Sequence, residues 1–229
     1  MKKFILIVLG ILSLAACRYR SGSGNIITEK RSTAEFTGVI VAGGFEVEIK
    51  TGPPQVKVEA DDNLMRYVET KVVNGQLKIR MEDVNVHDAH LKIYITAPEI
   101  NTIKASAAAD VIAKDVLISR KINLQVSGGS GIEAGIDAPE TSVEASSGGS
   151  IKLSGRTRDL KVTCSSGSVI KAKSLLSENT TVNASSGGAA NVHASVTLEA
   201  NASSGGDISY SGAANVRKSV SSGGTIKYQ

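Results

Sequence analysis

The tetrapeptide Ser-Ser-Gly-Gly stands at 146–149, 185–188, 203–206 and 221–224 of this 229-residue chain. Degenerate copies are Ser165-Ser166-Gly167-Ser168, Ser127-Gly128-Gly129-Ser130 and Ser106-Ala107-Ala108-Ala109. The seven first serines follow one another at intervals of 18 to 21 residues. A near-constant period of this length marks a repeat architecture, in which each unit is too small to bury a face alone and must stack on its neighbours.

The flanks of the tetrapeptide repeat as well. Before each first serine stand Ala105, Val126, Ala145, Cys164, Ala184, Ala202 and Val220, all small and apolar. Two residues earlier come Ile103, Leu124, Val143, Val162, Val182, Ala200 and Lys218, with the one polar member in the terminal copy. Between these columns lie Lys104, Gln125, Glu144, Thr163, Asn183, Asn201 and Ser219. This alternation of period two, repeated in register, is a half-buried strand in every unit. Five residues past each first serine stand Val111, Ile132, Ile151, Ile170, Ala190, Ile208 and Ile226, which begin a second strand. Each unit therefore reads as strand, Ser-Gly corner, strand and return. Identical columns stack as parallel strands about 4.8 Å apart, and parallel crossovers are right-handed. The fold class is all-β, a right-handed parallel β-solenoid (β-helix) with 18–21 residues per coil. A core drawn from a chain with no Trp, three Phe and five Tyr must be aliphatic, which suits thin coils. The Leu/Asn signature of leucine-rich repeats is absent, and a propeller needs about 40 residues per blade.

The N-terminus is a targeting segment. Lys2 and Lys3 precede an apolar stretch from Phe4 to Leu14, too short for the roughly 20 residues of a membrane-spanning helix. Leu14-Ala15-Ala16-Cys17 follows and resembles the lipobox of bacterial lipoproteins. The resemblance implies that residues 1–16 are a cleaved signal peptide and that Cys17 is the lipidation site and the membrane partner. Residues 17–35 then read as the lipidated Cys and a flexible, Gly/Ser-bearing tether. Removal of Lys2 and Lys3 lowers the formal charge from +4 to +2, and no Lys/Arg run points to nucleic acid. Arg18 and Arg20, beside the anchor, read as solvated linker charges, with contact to anionic headgroups as the alternative. Cys164 has no second thiol in the mature chain once Cys17 is acylated. It stands in a column of Ala and Val, so it is expected to be buried and inert.

Residues 36–98 are less regular but still β. Phe45, Val47 and Ile49 alternate with charged residues, as do Val56 with Val58, and Leu91, Ile93 and Ile95. Asn74-Gly75 between Val72-Val73 and Leu77-Lys78-Ile79 is a hairpin signal. Asp61-Asp62-Asn63 ahead of Leu64 and Met65 starts a helical turn. The segment is expected to form irregular coils that begin and cap the solenoid, with a small separate antiparallel domain as the alternative. The regular coils occupy 99–229.

Three stretches carry a family resemblance. They are Gly43-Gly44-Phe45-Glu46-Val47-Glu48-Ile49-Lys50-Thr51-Gly52 followed by Val56 to Leu64, then Leu91-Lys92-Ile93-Tyr94-Ile95 leading to Pro98, then Ile103-Lys104-Ala105-Ser106. With the serine-glycine coils after them, they resemble the head GIN domain family of auto-transporter adhesins over residues 36–228. The resemblance implies a secreted or lipid-anchored β-solenoid, and it carries over no catalytic residue.

Asp110 and Asp207 share a column but lie five coils apart, about 24 Å, beyond the reach of a carboxylate pair. Asp115, Asp137 and Asp159 drift relative to the corners. His87-Asp88-Ala89-His90 is the one metal-like cluster, and a stable site needs a third or fourth ligand. It reads as a surface turn, and His193 as a surface side chain. The serines recur in every coil, which marks structure, and no phosphate-binding loop precedes a helix. No cofactor is expected. The expected function is a non-catalytic lipoprotein of the bacterial cell envelope, outer membrane and periplasmic or surface-facing. It would bind an envelope glycan or protein along extended faces. The alternative is a polysaccharide-active β-helix enzyme, lyase or hydrolase, with an unrecognised acidic site.

Overall fold

The computed structural model describes residues 19–229; the lipobox-like run and Cys17 lie outside them. The described chain is a parallel β-solenoid. Its registers reproduce the repeat columns: Ala105, Val126, Ala145, Cys164, Ala184, Ala202 and Val220 are successive Cα partners. So are Val111, Ile132, Ile151, Ile170, Ala190, Ile208 and Ile226 in the second strand. Both columns are buried except in the last coil. The core is aliphatic, and among the described residues only Phe36, Phe45 and Tyr210 bring rings into it.

The corner explains the tetrapeptide. Its second and third residues both have positive φ, as at Ser147 (49°) and Gly148 (73°) or Ser186 (49°) and Gly187 (73°). The fourth N–H donates back to the first carbonyl, for example Gly188 to Ser185 at 2.8 Å. This is a type I′ turn, whose twist matches that of the flanking strands. A serine in the left-handed region costs about 1–2 kcal/mol. The conformation is held by a second ladder, in which the third residue's N–H donates to the next coil's second residue. Gly129 reaches Ser147, Gly148 reaches Ser166, Gly167 reaches Ser186 and Gly187 reaches Ser204, at 3.1–3.2 Å.

Unequal coil lengths are absorbed away from the corner. The 21-residue unit carries its two extra residues as a bulge between Ile112 and Val116, opposite Glu133 and Gly135. The 20-residue unit adds one residue between Lys171 and Ser174, opposite Lys152 and Ser154. Every corner therefore stays in register.

The N-terminal part combines parallel and antiparallel pairing. Its strands are β1 (Tyr19–Ser21), β2 (Ile26–Arg31), β3 (Gly38–Ala42), β4 (Glu46–Thr51) and β5 (Gln55–Asp61). The turn α1 (Asp62–Met65) leads to β6 (Val68–Val73), β7 (Gln76–Met81), β8 (Asn85–His87) and β9 (Leu91–Ala97). β3 and β4 form the first coil, and the coil beginning at Thr102 stacks on one side of it. On the other side lie β7, parallel to β3, and β9, parallel to β4. The first coil in sequence is thus the second in space. Antiparallel β6 closes over β7 through Asn74-Gly75, both at positive φ. β5 lies antiparallel to β9, and β2 to β5. One sheet therefore runs from the solenoid into its cap, merging the expected coils with the antiparallel alternative.

The expectation of a flexible tether over 17–35 is corrected for the described residues. β1 pairs with β8, and β2 forms the outer strand of the cap. Between them, Ser21 to Asn25 is gripped by three consecutive side chains. Asp61 accepts the Gly24 N–H at 2.7 Å, and Asp62 accepts the Ser23 hydroxyl at 2.6 Å and the Asn25 amide at 2.8 Å. Asn63 donates to the Ser21 carbonyl at 2.9 Å and accepts the Ser23 N–H at 3.2 Å. The hydrogen bonds from Ser23 and then Asn25 hold the Asp62 carboxyl below its ordinary pKa.

Candidate binding groove

The outward residues of the first strands form continuous columns. Lys104, Gln125, Glu144, Thr163, Asn183 and Asn201 are successive partners, as the repeat predicts. Beside them run Thr102, Asn123, Ser142, Lys161, Thr181, Glu199 and Arg217. A third column is Lys121, Glu140, Asp159, Asn179, Thr197 and Asn215. The second and third columns line an open groove of ≈ 1040 Å³ that crosses six coils, about 24 Å from first to last.

The groove is pre-ordered by hydrogen bonds running along the solenoid. Thr197 donates to Asn179 at 2.8 Å, and Asn179 donates to Asp159 at 3.0 Å. In the first column, beside the groove, Asn201 donates to Asn183 at 3.0 Å, and Gln125 to Glu144 at 3.3 Å. The Asn179 amide, followed by the Arg158 guanidinium, keeps the Asp159 carboxyl below its ordinary pKa, so it accepts hydrogen bonds as an anion. The wall therefore offers amides, hydroxyls and both signs of charge at the coil spacing. The sequence reading found only the column two residues before each corner. The other two columns lie four and six residues before it, in the same repeat.

The residues weighed for catalysis are dispersed. Asp110 and Asp207 do share a column, with Gly131, Ser150, Val169 and Ala189 between them. Asp115 accepts the Thr51 N–H at 2.8 Å. Asp137 pairs with Arg156 of the next coil at 2.6 Å, which lowers its pKa. His87 and His90 turn to different partners. His87 lies near Asp88 at 3.3 Å and against the Tyr19 ring, whereas His90 meets Glu59 at 2.8 Å. Among the described residues no three His, Cys, Asp or Glu side chains gather as metal ligands.

His193 departs from its reading as a surface side chain. It is half-buried, and its Nδ1 is enclosed without a hydrogen-bond partner. Its carbonyl accepts the hydroxyls of Ser177 and Thr180, the latter at 2.9 Å. Cys164 is fully buried, its thiol within 3.2 Å of the Ser168 carbonyl, and burial pushes its pKa up. No helix among the described residues is long and apolar enough to cross a membrane.

Comparison with solved structures gives the same architecture. A "putative adhesin" from Bacteroides fragilis aligns with a TM-score of 0.83 at 19% identity, over 92% of this chain and 100% of that one. A "putative lipid binding protein" from Parabacteroides distasonis aligns at 0.76 and 20% identity, over 93% and 100%. A second P. distasonis protein, a "putative adhesin", aligns at 0.76 and 23% identity, over 92% and 100%. At these identities the likeness establishes the fold. No curated protein matches the chain. The family described as "Putative auto-transporter adhesin, head GIN domain" matches residues 35–214, a span that takes in the first coil, the cap from β3 onward and most of the grooved solenoid, and the chain belongs to that family.

Proposed function

We propose that the chain is a non-catalytic binding module of the bacterial cell envelope, anchored to the outer membrane by acylation of Cys17. In this reading it holds an extended, polar polymer, an envelope glycan, along the groove. One observation carries it: the Asp159–Asn179–Thr197 ladder and its neighbours repeat hydrogen-bonding groups coil by coil. A linear chain of hydroxylated units can follow such a wall, making many weak contacts whose sum is useful. A single deep pocket is not needed for that. The adhesin descriptions of the family and of its fold neighbours agree with binding as the activity.

The anchor reading rests on Leu14-Ala15-Ala16-Cys17. Labelled palmitate should enter the wild type and not Cys17→Ser; a wild type without label refutes the anchor. For the groove, the full-length protein is placed on a glycan array and used in pull-downs from envelope extract. Single groove substitutions such as Glu199→Ala should weaken capture slightly, and removal of whole coils should weaken it progressively. Loss of turnover of a surface polysaccharide on removing one outward carboxylate, with the fold intact, would establish the enzyme alternative instead.

A further inference from the structure

The clamp on residues 21–25 fixes where a membrane would lie. This inference rests on the acylation of Cys17. From Cys17 to Tyr19 the chain advances two residues, at most about 7 Å between Cα atoms. Tyr19 already belongs to β1, whose whole length pairs with β8 (Tyr19 with Asn85, Arg20 with Val86, Ser21 with His87). Ser21, Ser23, Gly24 and Asn25 are held by Asp61, Asp62 and Asn63. An acylated sulfur at the lipid surface thus leaves no slack by which the folded part could stand off.

The surface brought there has an interfacial character. Tyr19 is 64% exposed, and its ring faces His87 at 6.2 Å between centroids. On the other side of β1, the Arg20 and Arg66 guanidiniums lie 5.2 and 4.9 Å from the Tyr67 ring centre. Tyrosines with a wet hydroxyl and arginines with apolar stems are the side chains that settle at headgroup depth.

We infer that the end of the cap built by β1, β8 and Tyr67 is a membrane-contacting surface that meets lipid headgroups. The solenoid then rises from the bilayer coil by coil. The Asn215–Val220 and Thr225–Tyr228 strands lie at its far end.

The chain has no Trp, so one substitution supplies one fluorophore. Full-length acylated protein carrying His87→Trp or Tyr228→Trp is reconstituted into phosphatidylethanolamine–phosphatidylglycerol vesicles containing a headgroup spin-labelled lipid. His87 is 70 residues from Cys17 in sequence, so only the fold can bring it to the lipid. The indole at 87 should lose most of its emission and that at 228 should keep it. The triple change Asp61→Ala, Asp62→Ala and Asn63→Ala should raise emission at 87, because all three clamp side chains are removed while the anchor remains. Palmitate-labelled protein whose indole at 87 is unquenched, or quenched no more than that at 228, overturns this inference and leaves the anchor standing. Protein that takes no label and does not float with the vesicles overturns both.

Discussion

Asp61 and Gly24, 37 residues apart in sequence, are joined by a 2.7 Å hydrogen bond from the glycine N–H to Oδ1, while Oδ2 accepts the His90 N–H at the same distance. The carboxylate is 2% exposed. It has two donors, the backbone N–H groups of Gly24 and His90, which lie in exposed residues on either side of it. Nor is there room for a side chain at Gly22, where a Cβ would strike this same carboxylate.

Asp61→Ala should therefore cost about 1.5–3 kcal/mol for the loss of hydrogen bonds to a buried charged group, and should free the N-terminal segment before the solenoid melts. Hydrogen exchange checks this. Amides of β2 and of Gly24 should lose protection, while those of the Ile151 and Ile170 coils keep it. Uniform protection in the variant would show that β2 is held by its ladder with β5 alone.

Two adjacent glycines separate two reasons for using glycine. Gly187 has φ +73° and open space where a Cβ would be, so Gly187→Ala meets only the left-handed backbone penalty of about 1–2 kcal/mol. Gly188 points inward, and a Cβ there would lie 2.6 Å from the carbonyl carbon and oxygen of Cys164 in the preceding coil. Backbone cannot yield as a flexible side chain can. Gly188→Ala should destabilise more than Gly187→Ala, by at least another ~1 kcal/mol for the overpacking, measured by thermal or urea unfolding. Equal losses would mean that the coils separate at little cost.

Ile151 lies in the inward column between Ile132 and Ile170 and is 0% exposed. Ile151→Asp would place a carboxylate among aliphatic side chains with no donor in reach and should destabilise by several kcal/mol. An unchanged thermal midpoint would show that the column faces solvent and that the register is shifted by one.

The regular coils were legible because their evidence is local and repeated. One-residue errors would have moved Ala145, Cys164 and Ala184 together to the wrong face, and seven aligned copies exclude that. The cap was less legible because its order is set by long-range pairing. Nothing within β7 or β9 states that they lie on the far side of β3 and β4 from the coil that follows. The Ser21-Gly22-Ser23-Gly24 run was misread as a tether for a physical reason. Small residues that make a linker flexible are also those that let backbone approach a buried carboxylate closely. The signal that separates the two uses, Asp61-Asp62-Asn63, lies some forty residues away. Of the outward columns, the one two residues before each corner was legible, and the two that line the groove needed only the same alignment carried further back.

Lys218 is the break in the inward column, and its position suggests what the break does. It is the partner of Ala200, which is fully buried, and in this last coil Lys218 is itself exposed, at the open end of the core line. There its ammonium lies 4.7 Å from the Tyr210 ring centre, and Tyr228 packs edge-on to the same ring at 5.4 Å. Within the described chain, the Asn215–Val220 and Thr225–Tyr228 strands are paired on one side only. An unpaired edge above an apolar core invites another strand, and an inward charge is one way proteins prevent that. Adding a strand would bury the Lys218 charge, together with repulsion from Arg217 and Lys227 of a second copy. Lys218→Ile removes the inward charge and leaves the other two. The variant should associate end to end, increasingly with concentration, and more at high salt, where screening weakens the remaining repulsion. Sedimentation velocity at several concentrations reads this directly, with Lys227→Ile as a control that changes edge charge without filling the inward column. A Lys218→Ile protein that stays as monomeric as the control would show that the charge in the core line is not what keeps this edge single.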